Sequence, residues 1–127
     1  MVTYTPQKSL TITVYGEKPV EINVKLDFYD IRVGYGGKTY SLIRRRETVK
    51  VKYGDRFTLY TDIVNYGTSK CTPYVEIVDA DTGSRIALTV ADKMIGYMEG
   101  YTFQHVLTMP EKPQLNLKIT IGYIYAE

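Results

Sequence analysis

The sequence predicts an all-β protein, an antiparallel β-sandwich of about seven to nine strands. Three observations carry that expectation. Apolar and polar residues alternate with a period of two through most of the chain, as in strands with one buried and one wet face. Clusters of Gly, Pro, Asn and Asp punctuate these runs at short intervals. No window of about 11 residues or more keeps a helical period; the nearest, ADKMIGYMEG (91–100), holds two glycines and supports at most one turn.

In chain order, SLTITVY (9–15) sets Leu10, Ile12 and Val14 on one face, with Thr11 and Thr13 opposite. After a GEKP turn, VEINVKLDF (20–28) places Val20, Ile22, Val24, Leu26 and Phe28 together. These two runs predict an N-terminal β-hairpin over 9–29. Gly34, Gly36 and Gly37 then precede a basic cluster, and 34–46 reads as a Gly/Arg-rich loop or a wide hairpin. Further strands are expected at VKVKY (49–53), RFTLYTDIV (56–64), PYVEIVDA (73–80), RIALTV (85–90) and YTFQHVLTM (101–109). The last, QLNLKITIGYIY (114–125), puts Leu115, Leu117, Ile119, Ile121, Tyr123 and Tyr125 on one face and turns Ile124 away from it. The corner Asn65-Tyr66-Gly67 is expected to use positive φ to pass the chain between sheets.

The 127 residues suit a single domain over 1–127 with its own core. One cysteine, Cys71, excludes an intrachain disulfide, so packing must supply the stability. A net charge of +2 does not by itself imply a polyanionic partner. Thirteen tyrosines against three phenylalanines and no tryptophan exceed what one small core uses, and tyrosine is favoured where surfaces meet.

From Val49 onward the succession of features is Gly54, a long strand ending in Asn65-Tyr66-Gly67, a hairpin with Thr82-Gly83, Gly100, a strand and Pro110. Over about residues 47–122 this resembles CARDB-type and related immunoglobulin-like (Ig-like) domains of archaea and bacteria. The resemblance implies an Ig-like antiparallel sandwich used as an adhesion or spacer module, without catalytic residues. A weaker likeness links this small, tyrosine-rich chain to uncharacterised proteins of archaeal viruses.

Chemistry-bearing residues are sparse. His105 is the only histidine and shares the apolar face of its strand with Tyr101, Phe103 and Leu107. One His and one Cys do not make a zinc site, and no third member completes a nucleophilic pair with Cys71. DADTGSR places Asp79, Asp81 and Gly83 at a spacing that suits a hairpin turn better than a calcium loop. VGYGGKT lacks P-loop spacing and a following helix. No catalytic residue, metal or cofactor is therefore expected. The remaining candidate is the basic stretch, where Tyr35, Lys38, Tyr40, Arg44, Arg45 and Arg46 mix cations with rings. Such a mixture serves either a nucleic-acid or glycan groove or an ordinary solvated face.

The chain is thus expected to be a non-enzymatic structural or protein-interaction module that forms a homodimer or binds another protein, with Ile124 at the interface. Nucleic-acid or glycan binding through 34–46 is the alternative. No apolar run approaches the roughly 18 residues of a membrane span, and the first residues do not read as a signal peptide. A cytoplasmic or virion-associated location is expected rather than a secreted one.

Overall fold

Seven strands in two antiparallel sheets make up the regular structure of a computed structural model that describes residues 2–18 and 21–127. The strands are β1 (Leu26–Tyr35), β2 (Lys38–Ser41), β3 (Arg56–Asn65), β4 (Cys71–Asp79), β5 (Arg85–Val90), β6 (Gly100–Thr108) and β7 (Leu117–Ala126). One sheet runs β2-β1-β3-β6 and the other β5-β4-β7. The fold is all-β, and no helix among the described residues is long and apolar enough to cross a membrane.

Alternation decides which face of each strand is buried. In β3, Phe57, Leu59, Thr61, Ile63 and Asn65 turn inward, and β4 answers with Cys71, Pro73, Val75 and Ile77. Ile31 and Val33 of β1 and Phe103 of β6 complete the first sheet's share of the core. Ile95, from the β5–β6 connection, seals one end: it forms a β-bridge with Cys71 and is fully buried. The β4–β5 hairpin turns at Gly83, whose φ of +78° suits glycine.

A bulge at Tyr29 shifts the β1–β3 register between Phe28 and Asp30. Leu26 and Phe28 pack inward before it, Ile31 and Val33 after it. The extra residue inverts the strand's phase and turns Asp30, level with Asp62, off the core face. It is buried there by the turn after β2, bonded to Ser41, Ile43 and Arg44.

Several sequence expectations need correction. The N-terminal hairpin over 9–29 is not formed: residues 9–18 belong to no strand, and Leu10, Ile12 and Val14 stand 82%, 75% and 86% exposed. The last residue of its expected turn, 19, and the first of its expected second strand, 20, lie outside the described residues. The segment 34–46 is not one loop. It contains the end of β1, a two-residue turn at Gly36-Gly37 with φ of +60° and +78°, and β2. This is the geometry of a tight hairpin, which needs positive φ at both central positions. VKVKY joins no ladder, although Val49 and Val51 still pack against the core. In β7 the pairing shifts where Thr72 meets Tyr125 and Pro73 meets Tyr123. The regular inward face therefore ends at Ile121, and Tyr123 and Tyr125 are exposed.

The two sides of the sandwich differ. Beside β5 and β6, the sheets are joined by a hydrogen bond of 2.8 Å between Thr89 Oγ1 and His105 Nε2. Beside β1 and β7 they stand apart around a cleft of about 850 Å³. Ile31, Val33, Phe57 and Leu59 form one wall, Leu115, Leu117 and Ile119 the other, with Val49 and Val51 between them.

Candidate interaction surface

The corner that ends β3 is structural, and its mechanism differs from the expected one. Neither Asn65 nor Gly67 has positive φ. Instead the Asn65 side chain is fully buried and bonded at both ends. Its Nδ2 donates to Ser69 O at 2.9 Å and Ile95 O at 3.2 Å, while Oδ1 accepts from the Gly67 amide at 2.9 Å. The same oxygen accepts from the Lys25 amide at 3.4 Å. Gly67 is required by close approach: a Cβ there would run into Asn23 O and lie 2.7 Å from Lys25 N and 2.8 Å from Val24 Cα.

His105 and Cys71 serve separate neighbourhoods. His105 is half-buried against Thr89, and burial pushes its imidazole below the usual value. Cys71 is fully buried beside Asn65, with its thiol pushed up by the same cause. Asp79 and Asp81 are occupied by this chain's own groups. Lys112 Nζ reaches them at 3.4 and 3.5 Å, and Asn116 donates to Asp81. The Asp79 carboxyl also accepts from the Asp81 and Thr82 amides, which hold it below the usual carboxylate value. Among the described residues no three His, Cys, Asp or Glu side chains gather as metal ligands would.

The basic stretch divides among different surroundings. Arg44 lies 3.8 Å over the Tyr29 ring and donates to the Tyr29 carbonyl at 3.4 Å. Arg44 and Arg45 line a pocket of about 390 Å³ with Arg32, Thr39, Asp30, Ser41 and Glu47. Tyr35 and Lys38 line a different depression, at the Gly36-Gly37 turn beside Arg56. The Tyr35 hydroxyl donates to Asp55 at 2.6 Å, a bond that holds the phenol above its usual value. Tyr40 pairs with Val33, and Arg46 turns the chain with a φ of +53°. Cations and rings thus meet within the chain instead of alternating along one track.

Two features beneath this stretch escape sequence reading. Asp30 is buried, its Oδ2 accepting from the Ser41 hydroxyl at 2.7 Å. Its Oδ1 accepts from the amides of Ile31, Ile43 and Arg44 at 2.8, 3.2 and 3.3 Å. Burial pushes this carboxyl up, but the Ser41 bond and the three amides outweigh it and hold the group below the usual value. Across the sheet, Arg32 clasps Asp62 with two bonds of 2.6 and 3.0 Å and lies 4.7 Å over Tyr60. Thr102 Oγ1 donates to Asp62 as well, at 2.7 Å.

The β7 edge is the other candidate. β7 pairs only with β4, so one side of its backbone is left without a ladder partner among the described residues. Tyr123, Ile124 and Tyr125 stand 45%, 63% and 53% exposed along it. Compared with known protein families, with curated proteins and with solved structures, the chain matches none.

Proposed function

We propose that this chain is a non-enzymatic structural or protein-interaction module that associates with further copies of itself through the open side of its sandwich. The observation that carries this reading is β7: a ten-residue edge strand, one side of whose backbone has no ladder partner among the described residues, with three consecutive exposed large side chains. Such an edge is a template for pairing with another chain. A net charge of +2 sets up little repulsion between copies. An Ig-like arrangement of the CARDB type belongs to the same proposal, supported by the two-sheet order and by turn glycines at Gly54 and Gly83 with positive φ.

Nucleic-acid or glycan binding at the Arg44–Arg45 pocket is the second reading, favoured by three guanidinium groups around one depression. Against it, Asp30 and Glu47 share that pocket, and Arg44 and Arg32 cover the tyrosine faces on which bases would stack. Light scattering decides the first reading: the intact protein at high micromolar concentration is expected to weigh more than one chain, and Ile124→Lys is expected to weaken that association. A single-chain mass at every concentration, together with salt-sensitive retention on immobilised nucleic acid, would replace the first reading with the second.

A further inference from the structure

We infer that residues 9–15 of one copy add as a strand to the free edge of β7 in another copy and fill the cleft between β1 and β7. The inference rests on the self-association reading and names the segment that performs it.

Donor and acceptor are both unfinished in the single chain. Leu10, Ile12 and Val14 form a period-two apolar stripe, yet they stand 82%, 75% and 86% exposed and belong to no ladder. A strand with one apolar face has no stability until that face and its backbone find partners. Val49 and Val51 line the cleft but belong to no strand, so no strand of the described residues fills it. Leu115, Leu117 and Ile119 on its wall are only partly buried, and one side of the β7 backbone beside them has no ladder partner among the described residues. SLTITVY carries no charge, which suits a wall of apolar side chains. Laid antiparallel to β7 with Ile12 level with Ile119, the segment turns Leu10, Ile12 and Val14 inward beside Ile121, Ile119 and Leu117. Thr11 and Thr13 then face water beside Thr120 and Lys118. The same two-residue period governs both strands, so one register satisfies all three side chains. Peptide recognition by strand addition works in this way, with backbone bonds for adhesion and alternate side chains for selectivity.

In this antiparallel register, chain length assigns the donor to a second copy. Asn23 is fixed at the Asn65 corner, where its amide donates to Ser69 Oγ at 2.9 Å and its carbonyl accepts from the Ser69 amide. That corner is level with the C-terminal end of β7, since Lys70 and Glu127 exchange both backbone bonds. In the antiparallel register, Val14 lies at the opposite end, beside Leu117. Val14 is nine steps along the chain from Asn23, and Leu117 is nine steps from Ala126. A fully extended chain advances at most about 3.6 Å per residue against about 3.3 Å along a strand, so nine steps leave only about 3 Å, too little for the reversal. A neighbouring copy has no such restriction. Each copy gives one strand and receives one, so the exchange closes as a pair or continues as a chain.

The test uses the full-length protein. Ile12→Asp places a charge on the donor stripe at a residue that supports nothing in the isolated sandwich. It is expected to bring the mass of the associated species down to one chain while the circular dichroism stays β-rich. Oxidising a mixture of Thr11→Cys and Thr120→Cys proteins is expected to link one chain of each kind, with the native Cys71 left out by its burial. Association that survives Ile12→Asp but is lost in Ile124→Lys overturns the donor strand and leaves the self-association reading standing. A wild type that is a single chain at every concentration overturns both. A monomer whose melting temperature falls with Ile12→Asp shows the segment occupying its own cleft and overturns the assignment to a second copy.

Discussion

Asn65 and Gly67 act as a pair, one supplying bonds and the other supplying room. The chain at 23–25 crosses so closely over Gly67 that its carbonyl and amide occupy the place of a β-carbon. Gly67→Ala is therefore expected to destabilise by about 1–3 kcal/mol through overpacking, read as a lower urea midpoint. The cost comes from contact and not from φ. Asp30 is the second residue with a sharp expectation. Its folded pKa lies below the unfolded value, so its contribution is fully present above about pH 3.9 and is lost as pH falls through the lower folded value. Asp30→Asn loses a charge-assisted acceptor for Ser41 and three amides and should cost about 1–3 kcal/mol at neutral pH. Urea midpoints measured from pH 6 to pH 2 should fall less steeply for this variant than for the wild type.

Among the elements, the β1–β2 hairpin offers the converse of Gly67. A Cβ at Gly37 meets nothing within 4 Å, yet its φ is +78°. Gly37→Ala is expected to cost about 1–2 kcal/mol from backbone conformation alone, with no change in association by light scattering. Strands β3 to β6 were legible in the sequence to within two residues at each end, because their alternation is regular and Gly or Pro turns bound them. The misses share a cause. Residues 9–15 and 49–53 alternate as strands do, but alternation reports which face a strand would bury and says nothing of whether a partner exists. For 34–46 the sequence left a loop and a wide hairpin open; the hairpin is present but tight, because only Gly36 and Gly37 of the three glycines make the turn. Of the candidate surface, Ile124 is exposed as expected, but so are Tyr123 and Tyr125, because the register of β7 shifts there and alternation no longer sets the face. The convergence of Arg32, Asp62 and Thr102 was not, since these residues come from three strands far apart in sequence.

At the scale of the molecule, the sandwich is latched on one side and open on the other. The latched side holds His105, whose neutral form burial favours, while the open side presents β7 and the cleft. Association on the open side leaves the latch untouched, so it should change mass without rebuilding the core. Cys71 sits where β4, the end of β7 and the Ile95 bridge meet, wholly shielded from water. The only sulfhydryl of the protein is thus a clock for its opening. Modification by a thiol reagent requires the barrier around Cys71 to part, so at saturating reagent the labelling rate reports how often that happens. At limiting reagent, where closing outpaces labelling, the reaction is expected to be at least about 1,000-fold slower than for unfolded chain if only global opening exposes the site. Stopped aliquots read by mass would give the frequency with which an unmodified, tag-free molecule comes apart, residue by residue variant, without denaturant.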